Sequence, residues 1–312
     1  MRTNAIVFRR PGELGVEDLA LDPVGAREIV VETLWSGISS GTERLLLEGT
    51  MPPFPGMGYP LVPGYESVGR VVNGLDGEGP QSGDLVFVPG ARGYVEARGL
   101  FGATASRLIA DVAKVVPLPE TLAEEGTLLA LAATAHHTLA LKGSTPPDLI
   151  VGHGVLGRLI ARISIALGNP APTVWEANPA RRDDSRYEVI DGAADTRTDY
   201  ASIVDASGFP AILDTAIAHL ARGGEITLAG FYHDPLSFAF PAAFMREARF
   251  RVAAEFDRSD IDAVLGLVTR GKLDFGDLIT HRTAPTDAKD AYDTAFNDPS
   301  CLKMILDWRT CS

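Results

Sequence analysis

LIVGHGVLGRLIARISIALG, residues 149–168, joins a short apolar strand to a helix through a glycine-rich turn. The three glycines have the spacing of a dinucleotide-binding turn. In such a turn the first bends the chain sharply, the second admits a pyrophosphate to the backbone, and the third lets the helix pack against the strand. Amides at the start of the helix attract the negative charge. The residues predicted to contact the cofactor here are Gly152, His153, Gly154, Val155, Leu156 and Gly157.

An acidic residue follows this turn at the spacing that a ribose-binding carboxylate requires. Glu176 stands 19 residues after Gly157, at the end of the next predicted strand, where a carboxylate accepts hydrogen bonds from the two ribose hydroxyls. Because it would repel the extra phosphate of NADP, NAD is favoured. Arg181 and Arg182 weaken this preference, since an arginine could bind that phosphate. A glycine pattern alone often only shapes a turn, but strand, helix and spaced acid together favour the cofactor interpretation.

Strand and helix patterns alternate on both sides of the turn, which is typical of βαβ units and a parallel sheet. The predicted strands cover 149–151, 173–176, 203–205 and 225–229. Open α/β sheets bind ligands at the carboxyl ends of their strands. The predicted cofactor site therefore extends to residues that close two of these strands, namely Ala206, Ser207 and Gly230.

The flanking segments have a different pattern. Residues 1–118 consist of short β-branched runs separated by glycine and proline, and 51–64 is a proline-rich loop, so this part is predicted to be mostly β. Residues 269–312 are expected to return to it. The sequence thus predicts an α/β protein in three parts, with a catalytic and substrate domain over 1–118, a nucleotide-binding domain over 119–268 and a returning segment over 269–312.

The composition limits the classes of partner. The chain has 312 residues, with 28 lysines and arginines against 41 aspartates and glutamates, and a formal net charge of −13. Such a surface repels nucleic acid. No apolar stretch nears the length of a membrane-spanning helix and no secretory signal is evident, so no integral membrane segment is expected. Two cysteines, Cys301 and Cys311, make no disulfide framework, which favours a cytoplasmic location. A homodimer is left open.

Several motifs resemble those of a known family: WSGISSGTE at 35–43, GYE at 64–66, GDLV at 83–86, VGHGVLG at 151–157 and ARGGEITLAG at 221–230. Over nearly its whole length the chain resembles the medium-chain dehydrogenase/reductase family. The resemblance implies a GroES-like β domain and a Rossmann-type domain with a doubly wound parallel sheet. It also implies that Thr134 lies near the nicotinamide. The nearby His136 and His137 face different ways on a helix, so no paired metal site is expected there.

The chain departs from the zinc pattern of this family. Zinc-dependent members carry G-I-C-G-T-D and G-H-E, whose cysteine and histidine bind the metal. The matching runs here are GISSGTE at 37–43 and GYE at 64–66, so Ser39 or Ser40 stands at the cysteine position and Tyr65 at the histidine position. Residues 89–101 contain no cysteine, so the structural zinc lobe is missing as well. Hydroxyls are poor zinc ligands, and no catalytic metal is expected.

A zinc-free alcohol oxidation needs groups that accept or relay the hydroxyl proton. The predicted catalytic residues are Tyr65, Thr42, Ser39, Ser40 and Glu66. With an ordinary pKa of about 10, Tyr65 acts as a base only if its anion is stabilised, but it donates a hydrogen bond without any shift. Thr42 resembles the hydroxyl relay position of the family. Glu66 either orients these groups or is a buried structural acid paired with an arginine.

A closer likeness within the family, carried by segments 1–19 and 35–66, implies a particular reaction. This reaction is the NAD-dependent oxidation of a 1-hydroxyethyl group to an acetyl group on a bacteriochlorophyllide-type small molecule, as a step of bacteriochlorophyll biosynthesis. Three arginines are candidate partners for the carboxylate of such a substrate, namely Arg44, Arg92 and Arg98. The loop residues Met51, Phe54, Met57 and Tyr59 form either a wall for a flat apolar substrate or a buried loop.

Two alternatives of different kinds remain. Zinc-free members of the family often reduce enones or quinones with NAD(P)H, which leaves a reductase open. A catalytically silent nucleotide-binding protein of pigment synthesis is the other alternative. Adding NAD to the hydroxyethyl pigment identifies the dehydrogenase, because only it changes the pigment's absorption. Enone-dependent oxidation of NAD(P)H identifies the reductase, and binding of NAD without turnover of any substrate identifies the silent protein.

Overall fold

The computed structural model describes residues 1–75, 77 and 79–311, with Cys311 described by its backbone alone. The chain forms two compact units, one comprising Met1–Ala130 with the C-terminal segment from Phe275, and one comprising Leu131–Asp274. The C-terminal segment thus belongs to the first unit. Cys301 is buried, whereas the side chain of Cys311, and with it any pairing of the two cysteines, lies outside the described residues.

The strands and helices are numbered in chain order. The strands are β1 Arg2–Arg10, β2 Glu13–Ala20, β3 Glu28–Gly37, β4 Leu61–Val62, β5 Ser67–Asn73, β6 Leu85–Val88, β7 Arg98–Gly99, β8 Arg107–Asp111, β9 Val116–Pro117, β10 Leu149–Val151, β11 Thr173–Trp175, β12 Val189–Ile190, β13 Tyr200–Asp205, β14 Leu220–Leu228, β15 Arg249–Val252, β16 Ile279–Thr283 and β17 Lys303–Asp307. The α-helices are α1 Thr42–Glu48, α2 Leu129–Ala140, α3 Val155–Ala166, α4 Leu213–His219, α5 Phe240–Arg246, α6 Arg258–Thr269 and α7 Ala288–Asn297. Short 3₁₀ segments lie at Glu120–Leu128, Pro179–Arg181, Gly192–Ala194, Pro210–Ile212, Gly276–Leu278, Pro285–Asp287 and Trp308–Cys311.

The first unit is built on two β-sheets. One has the strand order β2-β1-β4-β7, and the other has the order β16-β17-β3-β5-β6-β9, with β8 also pairing with β3. Strand β17 pairs antiparallel with β3 so that Ile305 faces Gly37. The C-terminal segment therefore completes the sheet whose strand β3 leads into the motif GISSGTE.

The second unit contains a six-stranded parallel sheet in the order β12-β11-β10-β13-β14-β15. Going outward from the centre, the chain fills one side and then the other, which is the doubly wound arrangement that the alternating pattern predicts. Leu149 and Ile150 of β10 are fully buried, as expected of a parallel strand covered on both faces. The glycine-rich turn follows β10 at the point where the strand order reverses, and helix α3 begins directly after Gly154.

None of the helices in the described part of the chain is both long enough and apolar enough to cross a membrane.

Candidate active site

A cluster of three hydroxyls lies in the first unit, where the loop after β3 meets the turn before β5. The side chains of Ser39 and Tyr65 share a short hydrogen bond, and Thr42 Oγ1 lies 3.4 Å from Tyr65 Oη. Ser39 is buried, whereas Ser40 is exposed. Of the two serines that the sequence left open, Ser39 is therefore the one that meets Tyr65.

A glycine places Tyr65 at this point. Gly64 has a φ of +94°, and a Cβ there would lie 1.9 Å from Thr104 Oγ1. A side chain at Gly64 would both strain the backbone and clash, so the turn that presents Tyr65 requires a glycine.

Glu66 is fully buried and forms an ion pair with Lys303. The Lys303 ammonium also donates to the carbonyl of Ile38 at 3.1 Å, which anchors the residue before Ser39. A Cβ on Gly37 would lie 2.3 Å from Glu66 Oε2, so this glycine makes room for the pair. Burial raises the pKa of Glu66, and the Lys303 charge opposes the rise. Glu66 is thus a buried acid, and its partner is a lysine rather than the arginine that the sequence suggested.

Glu43 is a second buried acid that the sequence analysis missed. Its carboxylate accepts the Ser39 N–H at 3.0 Å and the Tyr292 hydroxyl at 2.5 Å, and it is fully buried. Burial raises its pKa to about 7, opposed by the hydrogen bonds from Tyr292 and Ser39. The only signal in the sequence was an acid directly after Thr42, because Tyr292 lies 249 residues further along. Glu43 holds the backbone that carries Ser39.

Burial and the nearby charge of Glu66 raise the pKa of Tyr65 above its ordinary value, opposed by the hydrogen bonds with Ser39 and Thr42. The phenol is therefore neutral at physiological pH. A neutral phenol is not already deprotonated and so cannot act as a base on its own. It can donate a hydrogen bond, and it can pass a proton between neighbouring hydroxyls. The Tyr65 ring also meets the Phe101 ring edge-on, with centroids 5.5 Å apart and planes at 89°.

The groups at the family's zinc position do not fit a zinc ion. Ser39 and Tyr65 offer hydroxyls that are hydrogen-bonded to each other, and hydroxyls are poor ligands beside thiolate and imidazole. The carboxylate of Glu66 is neutralised by the Lys303 ammonium. A cation at this point would have to displace that ammonium, so we derive no step through a metal.

The glycine-rich turn of the second unit has the geometry of a pyrophosphate cradle. Gly152 has a φ of +96°, and a Cβ on Gly157 would lie 1.9 Å from the Gly152 carbonyl oxygen, so helix and turn touch backbone to backbone. A Cβ on Gly154 would meet no atom within 4 Å, which leaves open space at the start of helix α3. Val155 and Leu156 are the first residues of that helix. These features fit a bound dinucleotide.

Hydrogen bonds connect Glu176 and the residues around it. Glu176 lies just beyond β11, and its carboxylate accepts N–H groups of His153 at 3.1 Å and Asn178 at 2.8 Å. The buried His153 side chain contacts the Arg181 carbonyl at 2.6 Å and the Tyr187 hydroxyl at 2.9 Å, and burial lowers its pKa. His153 therefore holds the loop in place with its side chain and meets Glu176 with its backbone.

The carboxyl end of β13 carries another buried acid, Asp205, at the ligand-binding edge that the sequence predicts. Asp205 accepts the Ser207 N–H at 2.8 Å and the Ser207 hydroxyl at 2.6 Å, and it also accepts the Tyr232 hydroxyl. Burial raises its pKa, opposed by these bonds. Gly230 lies against Gly208, since a Cβ on Gly230 would come within 2.6 Å of the Gly208 nitrogen. Asp205 thus shapes the edge that contains Ala206 and Ser207.

Helix α2 carries Thr134, which is half-buried, and the two adjacent histidines. His136 Nδ1 and His137 Nδ1 contact the two carboxylate oxygens of the buried Asp260, at 2.7 and 2.8 Å. The expectation that the two histidine rings face different ways is wrong, because both rings contact Asp260 at the start of helix α6. Asp260 also accepts the Asp257 N–H at 3.0 Å, so its oxygens are already satisfied and it joins α2 to α6.

The apolar loop over 51–64 packs mainly inward. Met51 is buried, and Phe54, Met57 and Tyr59 are partly buried against the same core cluster. Tyr59 also donates its hydroxyl to the Leu46 carbonyl. These contacts favour the buried-loop interpretation over a substrate wall.

The chain matches no protein-family model. It is 51% identical to the 2-desacetyl-2-hydroxyethyl bacteriochlorophyllide A dehydrogenase of Cereibacter sphaeroides, over 99% of both chains, and 50% identical to the protein of the same name from Rhodobacter capsulatus, again over 99% of both. Among solved structures it resembles L-idonate 5-dehydrogenase from Escherichia coli, with a TM-score of 0.86, 16% identity and 99% coverage of both chains. It also resembles 2R,3R-butanediol dehydrogenase from Bacillus subtilis, with a TM-score of 0.82, 18% identity and coverage of 98% and 99%.

The similarity to solved structures confirms the predicted fold, a GroES-like β unit with a Rossmann-type unit. The match to the two bacterial proteins covers 99% of the chain, so it spans the segments that carry the hydroxyl cluster and the glycine-rich turn. The chain belongs to the medium-chain dehydrogenase/reductase family and, within it, to the group of the 2-desacetyl-2-hydroxyethyl bacteriochlorophyllide A dehydrogenases.

Proposed function

We propose that this protein oxidises the 1-hydroxyethyl side chain of bacteriochlorophyllide a to an acetyl group, with NAD as hydride acceptor and without a metal. The observation that carries the proposal is the 51% identity, over 99% of the chain, to a dehydrogenase named for this pigment. The reaction breaks a C–H bond, whose electron pair leaves with the hydride, and removes the proton from the hydroxyl oxygen. It is one step of bacteriochlorophyll biosynthesis.

The hydroxyl cluster supports the proton half of this reaction. Nicotinamide, when bound, accepts the hydride. The neutral Tyr65 phenol takes up the proton of the substrate hydroxyl as its own proton passes to Thr42, and Thr42, which is only partly buried, releases its own hydroxyl proton to solvent. Ser39 fixes the position of Tyr65 Oη, and Thr42 Oγ1, 3.4 Å from that atom, is the second hydroxyl for the relay. Glu66 and Glu43 act indirectly, because they help to hold the backbone that carries Ser39.

NAD is the proposed cofactor rather than NADP. Glu176 lies beyond β11 with its carboxylate held by two backbone N–H groups, in the position of a ribose-binding acid. The Arg182 side chain is committed to the Glu176 and Ala177 carbonyls and to Asp191. An arginine held in this way is poorly available to a 2′-phosphate. Solved structures with the same fold contain NADH in one case and NADP in another, so the choice depends on these local groups.

The direct test is incubation of the purified chain with hydroxyethyl bacteriochlorophyllide a and NAD. We expect the pigment's absorption to shift to that of the acetyl product while NADH forms in equal amount. Metal analysis of the same sample should find no stoichiometric zinc, and a chelator should leave the rate unchanged. NADP should support a much lower rate at equal concentration.

The two alternatives have their own outcomes in this test. Oxidation of NAD(P)H that depends on an enone or quinone, with no change in the pigment, would favour the reductase. Binding of NAD without turnover of any of these substrates would favour the silent nucleotide-binding protein. Either outcome would overturn the proposed function.

Two further properties complete the proposal, namely assembly as a homodimer and a cytoplasmic location. Strand β15 is the outer strand of the parallel sheet, and its free edge pairs with no strand in the described part of the chain. Phe250 and Val252 are exposed on it, Phe238 is exposed and stacks on Phe250, and Phe240, Phe244 and Met245 are exposed on helix α5 directly before it. An exposed apolar edge strand is a template for pairing with an identical strand. Sedimentation should give a dimer that Val252→Lys converts to monomer, and cell fractionation tests the location.

A further inference from the structure

Two exposed side chains lie on the segment that runs beside the hydroxyl cluster. Strand β7 is the outer strand of its sheet and pairs with β4, so that Arg98 faces Leu61. The next residues stay alongside, because the N–H groups of Leu100 and Gly102 both donate to the Val62 carbonyl, at 2.9 and 3.0 Å. Leu100 is buried in the core. Arg98 and Phe101, on either side of it, are exposed.

Phe101 presents an exposed aromatic ring next to the Tyr65 phenol. The residue is 39% exposed, although removing so large an apolar side chain from water is favourable. The edge-on contact with Tyr65 fixes the ring relative to the phenol that handles the substrate oxygen. A flat conjugated ligand whose side chain reaches Tyr65 would cover this ring and recover the apolar surface that the free protein leaves in water.

Of the three arginines considered as carboxylate partners, Arg98 is the one that remains available for an anionic group on such a ligand. The Arg92 guanidinium is paired with Glu28 at 2.5 Å, and the Arg44 guanidinium lies over the Phe296 ring at 5.1 Å. Arg98 forms no ion pair with any residue that the structure describes, and its Nε packs over Gly58, where a Cβ would lie 2.8 Å away. In a chain of net charge −13 an anion needs a local cation, and the guanidinium fork suits a carboxylate.

We propose that Arg98 and Phe101 form the recognition element for the macrocycle, in which the Phe101 ring stacks on the flat pigment and the Arg98 guanidinium pairs with its free carboxylate. This inference rests on the proposed function for its substrate and extends it to the residues that select that substrate. It predicts that the enzyme prefers a flat, conjugated alcohol that bears a carboxylate. Small alcohols should be poor substrates, because they reach neither side chain. Both residues act on binding, whereas Tyr65 acts on the chemical step.

The test compares the wild-type chain with Phe101→Ala, Phe101→Trp, Arg98→Gln and, as the matched control, Arg92→Gln, an exposed arginine on the same stretch of chain. Pigment affinity is read by absorption titration without NAD, and KM and kcat are read with NAD. Phe101→Ala and Arg98→Gln should each raise the pigment Kd and KM about tenfold, as expected for a lost stacking or charged contact, with a smaller change in kcat. Phe101→Trp should restore affinity, and Arg92→Gln should match the wild type.

A pigment whose carboxylate is esterified isolates the charged contact. Wild-type enzyme should bind the ester about as weakly as Arg98→Gln binds the acid, and Arg98→Gln should not distinguish acid from ester. Wild-type affinity in both Phe101→Ala and Arg98→Gln, or equal discrimination of acid and ester by all variants, would overturn the inference. Failure of the proposed function is a separate result, since the pigment would then stay unoxidised in the wild-type chain while the NAD-free titration still measures both contacts.

Discussion

Replacing Glu43 by glutamine should remove a large pH dependence from the stability of this protein. Glu43 is fully buried, and burial raises its pKa to about 7 from the ordinary value of 4.5, opposed by the hydrogen bonds from Tyr292 and Ser39. Between these two values the folded chain keeps a proton that the unfolded chain has lost. The stabilisation of the folded state by this proton is therefore complete below pH 4.5 and is lost as the pH rises through 7.

The size of the effect follows from the shift. One pKa unit corresponds to about 1.4 kcal/mol, so the raised pKa of Glu43 should lower the free energy of unfolding of the wild type by about 3 kcal/mol between pH 4.5 and pH 8. Glutamine carries no charge at any of these pH values. Its amide can still accept one hydrogen bond and donate one, so the contribution of residue 43 to the stability of the Glu43→Gln variant does not vary with pH.

The assay is urea unfolding of both proteins at half-unit steps from pH 4.5 to 8, followed by far-UV circular dichroism. Subtracting the two profiles cancels the titrating groups that do not interact with Glu43. We expect the difference, variant minus wild type, to rise by about 3 kcal/mol across this window and to level off above pH 8. Parallel profiles, or a difference that falls with rising pH, would refute the assignment of a raised pKa to Glu43.

Other substitutions test the site residues separately. Tyr65→Phe removes the hydroxyl that meets Ser39 and should lower kcat at least tenfold, which corresponds to about 1.4 kcal/mol in the barrier. The NAD affinity, measured by titration, should be unchanged. A wild-type kcat would remove Tyr65 from the mechanism. Gly157→Ala forces a Cβ to 1.9 Å from the Gly152 carbonyl oxygen and should lower both the melting temperature and NAD affinity. Gly154→Ala adds a Cβ that meets no protein atom within 4 Å and should lower NAD affinity alone. Equal melting temperatures of the two variants would contradict this. Glu176→Gln should reduce the preference for NAD over NADP at least tenfold in kcat/KM, because the repelling charge is gone, and an unchanged preference would place cofactor selection elsewhere.

Local sequence determined the nucleotide-binding unit. The tasks of Gly152, Gly154 and Gly157 depend on backbone geometry within one strand, one turn and one helix, so their spacing along the chain already contains the information. The alternation of apolar strands and helices likewise specifies a parallel sheet. The bond from Tyr232 to Asp205 was not found from the sequence, because these two residues lie 27 positions apart and only the fold brings them together.

Only the tertiary structure decided how the catalytic candidates are arranged. The motif GISSGTE offered two serines, and the path of the loop brings Ser39 to Tyr65 and leaves Ser40 exposed. Lys303 and Tyr292 reach Glu66 and Glu43 because strand β17 and helix α7 return to the first unit from more than two hundred residues away. Burial then sets the pKa values, and burial depends on what the folded chain packs around a group. The sequence alone thus determined which chemical groups are present and that the turn suits a nicotinamide dinucleotide, while long-range packing decided which of those groups meet and in which charge state.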